Sequence, residues 1–473
     1  MLMNRDEMLD RLMASDSRYD GVFITGVLST GIYCLPSCKA RKPNPENVQF
    51  FATIEEARSV GLRACKKCRP DDFFAGLDPD RDRLEEIVRR LESSPQTMVS
   101  ITDMAAELGT GSSKLFLASK KHFHATPGEL LTRSRVFAAS RLLLTTDRSV
   151  SEIAFDVGFE SLSTFYDHFG RLVGMKPAAY RKLSSATTFD VSLPPSFHTE
   201  VLLGYLGRDP ESICEKVNGT SAQIAGNEVG LPYVLDLQFA SDVVTCTSSG
   251  VSGAVAHGVV AKLLGLAQDP GGFELHVTRL GLPEFVSGRR GLRLPQTPGL
   301  FDGIVWAILG QQVNLRFAYA LRRRLVLLAG TRLQDSLYSP PTPEAVACLN
   351  VEDLLPLQFS GRKAEYLIGF ARDIVEGAVD LTSLSSGSAS RAEKTLMQKR
   401  GFGPWSTHYV MMRAFGFADC LPIGDTGLTS ALQKFFKLEL RPDAAKTVEV
   451  MDAFSPYRSL ATFHMWQSLK FES

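Results

Sequence analysis

The chain lacks net charge. Its 473 residues carry 52 Lys and Arg against 52 Asp and Glu, so no global field attracts a polyanion and any nucleic-acid surface must be local. It lacks a long apolar run. None reaches the roughly 18 residues that a membrane span needs, which leaves no membrane partner. The opening residues, MLMNRDEMLDRLM, are charged throughout, unlike a secretory signal. The expected location is therefore cytoplasmic. Cysteine is scarce, with eight in all. In a reducing compartment these are ligands or core thiols and not disulfides. Apolar residues are not scarce: 44% is ample for packed cores. The length exceeds the roughly 250–300 residues at which one core stops growing, so several domains are expected.

Half of the cysteines fall in one short region, as Cys34-x3-Cys38 and Cys65-x2-Cys68. Two pairs at this spacing can close a tetrahedral zinc shell. Four buried or free thiols would be the bland account. From Cys34 to Arg69 there are eight basic residues (Lys39, Arg41, Lys42, Arg58, Arg63, Lys66, Lys67, Arg69) against three acids, Glu46, Glu55 and Glu56. That local surplus is either a solvated basic face or a phosphate-binding surface.

Further on, ITDMAAELGTGSSKLFLASKKHF reads as a helix over Ile101–Leu108, a glycine turn, and a second helix over Ser112–Phe123, with Ser112 or Ser113 as its cap. VSEIAFDVGFESLSTFYDHF repeats the pattern, with Val150–Val157, a turn at Gly158, and a reader over Ser161–Phe169. A long helix over Pro127–Thr145 joins the two. Either unit alone could be a small helical bundle; two in tandem point to a double helix-turn-helix. The groove-facing candidates are Ser112, Ser113, Lys114, Ser161, Ser163 and Thr164. Lys120, Lys121 and Arg171 are candidates for phosphate contact.

After a linker at SSATT, the runs FDVSL, TEVLLGYL, YVLDLQFA and VVTCTSS read as antiparallel strands, and VSGAVAHGVVAKLLGL as a helix. Cys214 and Cys246 stand singly and read as core thiols. No catalytic constellation is apparent in this segment.

The last third holds GFGPWSTHYVMMRAFGFADCLPIGD, Gly401 to Asp425. A helical segment precedes the GFG turn, and an amphipathic helix starts at Pro404, where a missing N–H costs nothing. Glycines 401 and 403 let the backbone approach a phosphate closely. Asp425 follows a Pro-Ile-Gly turn. Taken alone, Asp425 before Thr426 is equally good capping chemistry, and scattered aromatics are equally good core.

Three resemblances carry the reading further. TGIYCLPSCKARKPNPENVQFF and GLRACKKCRP resemble the zinc domain of the Ada family of methylation sensors. The double helix-turn-helix, closing on GMKPAAYR, resembles AraC-type regulators. The Gly401–Asp425 stretch, with GLRLPQTPGLFDGIVWAILGQQV and YRSLATFHMWQSL, resembles helix-hairpin-helix DNA glycosylases of the AlkA type, the 3-methyladenine DNA glycosylase II branch. The implied architecture is multidomain and mainly α with α+β parts. It comprises a four-cysteine zinc domain (1–78), a tandem helix-turn-helix domain (79–183), an antiparallel β-rich subdomain (184–299) and an all-α helix-hairpin-helix glycosylase core (300–473).

The resemblance implies residue roles. One zinc would be bound by Cys34, Cys38, Cys65 and Cys68, with Cys34 also the nucleophile that takes a methyl group irreversibly from a DNA methylphosphotriester. Asp425 would be the catalytic carboxylate in hydrolytic excision of 3-methyladenine or 7-methylguanine. Trp405, Tyr409 and Trp466 would wall the base pocket and Gln311 its rim. Gln312 stands where the AlkA branch has an apolar wedge. Trp405 stands where bifunctional lyases carry a Schiff-base Lys, so no strand cleavage is expected. Gly401 and Gly403 would bind the DNA backbone, with a monovalent cation at that hairpin. Alkylated and promoter double-stranded DNA, and RNA polymerase, are the implied partners. The Pro-Cys-His-Arg motif of O6-methylguanine repair is absent. The alternative is a transcription regulator whose C-terminal half only binds DNA.

Overall fold

The computed structural model describes residues 3–97, 100–228 and 230–471. Two compact units divide the chain, one up to Arg83 and one from Leu84 onward. The first begins with α1 (Arg5–Ala14), started by a capping box between Asn4 and Glu7. Strands β1 (Ile24–Val27), β2 (Ile32–Cys34), β3 (Val48–Phe51) and β4 (Arg63–Ala64) form a sheet in the order β3-β1-β2-β4, with α2 (Ile54–Ser59) and α3 (Pro70–Phe74) beside it in sequence. Its apolar core is small, centred on Ile24, Tyr33, Phe51, Ala57 and Leu62. A core of that size calls for a staple. The parallel β2–β4 pairing supplies the place for one: the Cys65 N–H donates to the Tyr33 carbonyl at 2.9 Å, which brings the two cysteine pairs together.

Helix α4 (Pro79–Ser93) leads to the first reader, α5 (Ile101–Leu108) and α6 (Ser112–Phe123), with the bounds the pattern indicates. Gly109 makes the left-handed turn at φ +71°. The cap differs from expectation. Ser112 and Ser113 lie inside α6, whose N-cap is Gly111 with no side-chain bond. Next come α7 (Pro127–Thr145), α8 (Val150–Asp156), α9 (Leu162–Val173) and α10 (Pro177–Arg181).

SSATT is not a loose tether. β5 (Thr188–Ser192) starts at once; the Ser248 N–H donates to the Thr187 carbonyl at 2.7 Å and the Ser192 N–H to the Gly174 carbonyl at 2.8 Å. Apolar residues of α7 to α10 therefore share one core with the sheet that follows. TEVLLGYL is a further correction. It forms helix α11 (Thr199–Leu206), not a strand. Its buried residues are Leu202 and Leu206, four apart, which is one helix face; a strand would bury every second residue. Strands β6 (Glu215–Asn218) and β7 (Ser221–Glu228), too polar to stand out in the sequence, join β8 (Leu231–Phe239) and β9 (Val243–Ser249) in an antiparallel sheet ordered β5-β9-β8-β7-β6. The strands expected near 189–193, 233–240 and 243–249, and helix α12 (Gly253–Leu263), are present.

The rest is helical but for a small hairpin: α13 (Pro270–Arg279), α14 (Leu300–Leu309), α15 (Leu315–Ala329), β10 (Thr331–Arg332), β11 (Tyr338–Ser339), α16 (Pro343–Ala347), α17 (Val351–Leu354), α18 (Gly361–Val375), α19 (Leu381–Ser386), α20 (Ala389–Met397), α21 (Pro404–Val410), α22 (Thr426–Phe435), α23 (Ala444–Asp452) and α24 (Arg458–Phe471). Helix α21 runs into a buried π-helical turn, Met411–Phe415. The first reader is fastened to this part by polar contacts. Glu85 accepts from Ser388 Oγ and pairs with Arg391. His122 Nδ1 and Ser390 Oγ share a hydrogen bond at 2.7 Å, and the Asp419 N–H donates to His124 Nδ1 at 3.1 Å.

Candidate active site and metal centre

Asp425 is the N-cap of α22, so its carboxylate is aimed by the helix start. Oδ1 accepts from the Leu428 N–H at 2.7 Å and from Trp466 Nε1 at 2.9 Å. Oδ2 accepts from Trp405 Nε1 at 2.9 Å. The capping reading holds, and the same carboxylate also gathers both indole N–H groups. Trp405 stacks on Tyr409, with ring centroids 5.3 Å apart and planes 24° from parallel. Each tryptophan was expected as a pocket wall; in the structure each indole N–H fixes one oxygen of the Asp425 carboxylate. Gly427 has a role that the sequence did not reveal, since an added Cβ would lie 3.2 Å from Asp425 Oδ1 and 3.3 Å from Trp466.

Behind Tyr409 stands a charged wall that the sequence reading missed. Arg208 lies over the rings of Tyr205, at 3.9 Å, and Trp306, at 4.5 Å; Arg413, only 3% exposed, lies over Tyr205 at 4.1 Å. Burial pushes the Tyr205 hydroxyl up, but the two guanidiniums outweigh it and hold it below the ordinary range. Burial raises the Tyr409 hydroxyl, with Arg413 opposing. Arg322 of α15 forms a bidentate pair with Glu215, both contacts 2.7 Å. Burial drives Asp302 beside it up to about 6. Tyr205, Arg208 and Glu215 all come from the segment expected to carry no chemistry. The misread helix α11 hid Tyr205, because only a helix puts it on the face toward Arg413.

The hairpin lies beside this site. Gly401 has φ +89°, and a Cβ there would sit 2.4 Å from the Tyr366 ring, so glycine is required. The Gly403 N–H does not point free; it donates to Ser406 Oγ at 2.9 Å. Gln311 Nε2 donates to the Gly401 carbonyl at 2.9 Å and ties the rim turn to the hairpin. Gln312 is exposed, in the left-handed region at φ 55°. A cleft of about 500 Å³ separates that turn from the hairpin. Lys363 lines it, pushed down to about 8 by burial, its ammonium on the Leu309 carbonyl.

In the first unit the Sγ atoms of Cys34, Cys38, Cys65 and Cys68 all lie within 4.8 Å of one another, and those of Cys38 and Cys65 are 4.0 Å apart. Tetrahedral zinc with Zn–S of about 2.3 Å would space its sulfurs about 3.8 Å apart, so the donor set fits. N–H groups of Leu35 and Lys67 donate to Cys68 and Cys65, both at 3.4 Å, as expected around thiolates. Cys34 is 7% exposed, and Cys68 is the most open of the four. Lys39, Arg41, Arg63, Lys66, Lys67 and Arg69 are exposed nearby in the chain, whereas Lys42 is turned inward onto the Cys38 carbonyl at 3.2 Å.

On the readers, Ser112, Ser113, Lys114 and Lys121 are exposed on α6. Lys120 is half-buried, its ammonium 5.9 Å from the Tyr457 ring centroid, so it faces that ring, just ahead of α24, and not open solvent. On α9, Ser163, Thr164 and Arg171 are exposed, and Ser161 caps the helix by accepting from the Thr164 N–H at 3.2 Å.

Comparison with known proteins matches three parts of the chain. The metal binding domain of Ada matches residues 7–71, a helix-turn-helix domain 104–183, and the HhH-GPD superfamily of base excision DNA repair proteins 305–456. The chain is 29% identical to a probable bifunctional transcriptional activator/DNA repair enzyme AlkA of Mycobacterium tuberculosis, over 97% of this chain and 95% of that one. It is 30% identical to the bifunctional transcriptional activator/DNA repair enzyme AdaA of Bacillus subtilis, over 38% of this chain and 85% of that one. In fold it is similar to a 3-methyladenine DNA glycosylase from Archaeoglobus fulgidus, with TM-score 0.54 and 21% identity over 60% of this chain and 99% of that one.

Proposed function

We propose that this chain, which belongs to the Ada-type family of bifunctional transcriptional activators and DNA repair enzymes and carries a helix-hairpin-helix glycosylase on the same polypeptide, excises alkylated purines such as 3-methyladenine and 7-methylguanine from DNA. The observation that carries this is the Asp425 carboxylate, held by two indole N–H groups beside the stacked Trp405 and Tyr409. A damaged base must first leave the helix stack. An alkylated purine is cationic and gains more from aromatic faces than a normal base does. As the glycosidic bond breaks, positive charge grows on the sugar, and Asp425 offsets it or orients the attacking water. Because its oxygens are fixed beforehand, little reorganisation is needed. Trp405 offers no amine for a Schiff base, so the product is an abasic site without a nick. Asp425→Asn should lower single-turnover excision from methylated duplex by about 10²–10³ and leave binding to abasic DNA intact. Unchanged excision would remove Asp425 from the mechanism.

The first unit adds a second reaction. Cys34, Cys38, Cys65 and Cys68 would hold one zinc, which when bound keeps its sulfur ligands as thiolates. Cys34 Sγ attacks the methyl carbon of a methylphosphotriester; the S–C bond forms, the C–O bond breaks, and the phosphodiester leaves with the electron pair. The resulting thioether carries one negative charge less, which weakens repulsion from DNA phosphates. The two readers then bind promoter DNA and activate alkylation-response genes with RNA polymerase. A monovalent cation at the 401–403 hairpin and a cytoplasmic location complete this reading; no helix among the described residues is long and apolar enough to cross a membrane.

A further inference from the structure

The two reader helices repeat one another fifty residues apart: α6 runs from Ser112 to Phe123 and α9 from Leu162 to Val173. Each ends on a left-handed residue, His124 at φ 53° and Gly174 at φ 69°. Each is followed by a helix that begins on a proline, Pro127 and Pro177. That register fixes which positions correspond. Leu115 and Phe165 are both 0% exposed and anchor their helices in the cores beneath. The next residue is turned outward in both helices: Phe116 is 45% exposed and Tyr166 44%. Leu117, beside Phe116, is 63% exposed; Asp167 holds that place on α9 and is exposed too.

A single exposed apolar side chain needs no explanation. An aromatic at the same outward position of two copies does, because neither helix needs an outward ring to hold its own core. At about 100° per residue, each exposed arc spans roughly 140°. The aromatic stands at one border, Ser113 or Ser163 inside, and Lys121 or Arg171 at the other border. The rings are braced. Tyr166 meets buried Phe165 edge to face, with centroids 5.8 Å apart and planes at 68°. The Lys120 ammonium lies 6.0 Å from the Phe116 ring centroid and 5.9 Å from that of Tyr457. A braced side chain loses little freedom on binding.

In the major groove the base edges show hydrogen-bond donors and acceptors and one apolar group, the C5-methyl of thymine. Phenylalanine and leucine side chains make no hydrogen bond, so that methyl is the feature of a base edge that favours them. The basic residues at the far border suit phosphates. Their recurrence with the aromatics on both readers favours DNA over a protein partner. We propose, on the reading of α6 and α9 as the promoter-binding helices, that Phe116 with Leu117 on the first and Tyr166 on the second are base-reading residues, each reader seating one thymine methyl group.

The test uses the full chain and the duplex sequence that it selects from a randomised pool. Each thymine of that sequence is replaced in turn by uracil, which lacks only the methyl group, and affinity is measured at fixed salt. Two replacements should each weaken wild-type binding about fourfold, or about 0.8 kcal/mol, the contribution of one buried methyl group. The first penalty should vanish in Phe116→Ala/Leu117→Ala and the second in Tyr166→Ala, each variant keeping the other penalty. Tyr166→Phe retains the ring and should retain both. All three variants should melt as wild type does and excise methylated bases at the wild-type rate. Penalties that survive in the alanine variants, or no thymine whose replacement matters, overturn the proposal and leave the readers themselves standing. Selection of no sequence by the wild-type chain overturns the reader assignment as well. Lost promoter activation by the alanine variants with affinity and penalties unchanged would assign this face to a protein partner instead.

Discussion

Asp425 is held by three N–H donors, and two of them are indoles whose own positions depend on packing. A hydrogen bond to a charged group contributes about 1.5–3 kcal/mol. Trp466→Phe keeps an aromatic wall but removes one donor, so single-turnover excision should fall by about 10–100-fold with little change in affinity for abasic DNA. An unaltered rate would show that the wall matters and the N–H does not. His464, two residues earlier on α24 and 1% exposed, sets an acid limit. Burial in an aromatic cluster with Phe273 lowers its pKa from 6.5 to about 3. The folded value is depressed, so between pH 6.5 and about 3 the unfolded chain binds the extra proton. Stability from this group is full above pH 6.5 and is lost as pH falls, by up to about 1.4 kcal/mol per pH unit. Thermal melts of wild type and His464→Leu should converge on acidification; parallel curves would assign the acid limit to other groups.

At the scale of elements, the hairpin and the reader helices should separate by function. Gly401→Ala forces a non-glycine residue to φ +89° and into the Tyr366 ring. Left-handed strain of this kind costs about 1–3 kcal/mol. The hairpin should shift, and excision and non-specific DNA affinity should fall together. Normal affinity in a stably folded Gly401→Ala protein would mean that the hairpin is not the backbone contact. Lys114→Ala with Ser163→Ala changes only exposed positions on α6 and α9. It should weaken promoter binding and leave excision alone. Equal promoter binding would deny these helices the reading role.

For the whole molecule, the residues proposed for methyl transfer and those proposed for excision do not overlap. Cys34→Ser should abolish methyl transfer from methylphosphotriester DNA while base release continues at the wild-type rate. Cys65→Ser with Cys68→Ser should lose zinc, because two thiolates cannot close a tetrahedral shell. Metal analysis finding one zinc still bound to that double variant would assign the ligands elsewhere.

The sequence by itself determined whatever depends on local spacing. Two cysteine pairs, two tandem helix-turn-helix patterns, and a GFG turn followed by Asp425 are short-range statements, and short-range patterns survive folding unchanged. The helix bounds at Ile101–Leu108, Ser112–Phe123 and Pro127–Thr145 were legible for the same reason. Only the tertiary structure decided what depends on distant partners. TEVLLGYL has apolar residues that fit either period, and packing of Leu202 and Leu206 on one core made it a helix. Arg322 stands in a run of three arginines, and nothing in that run shows that Glu215, more than a hundred residues away in sequence, takes it inward. The two indoles meet one carboxylate because α21, α22 and α24 converge. No linear spacing encodes a convergence of three helices, since each contact is chosen by burial of the others.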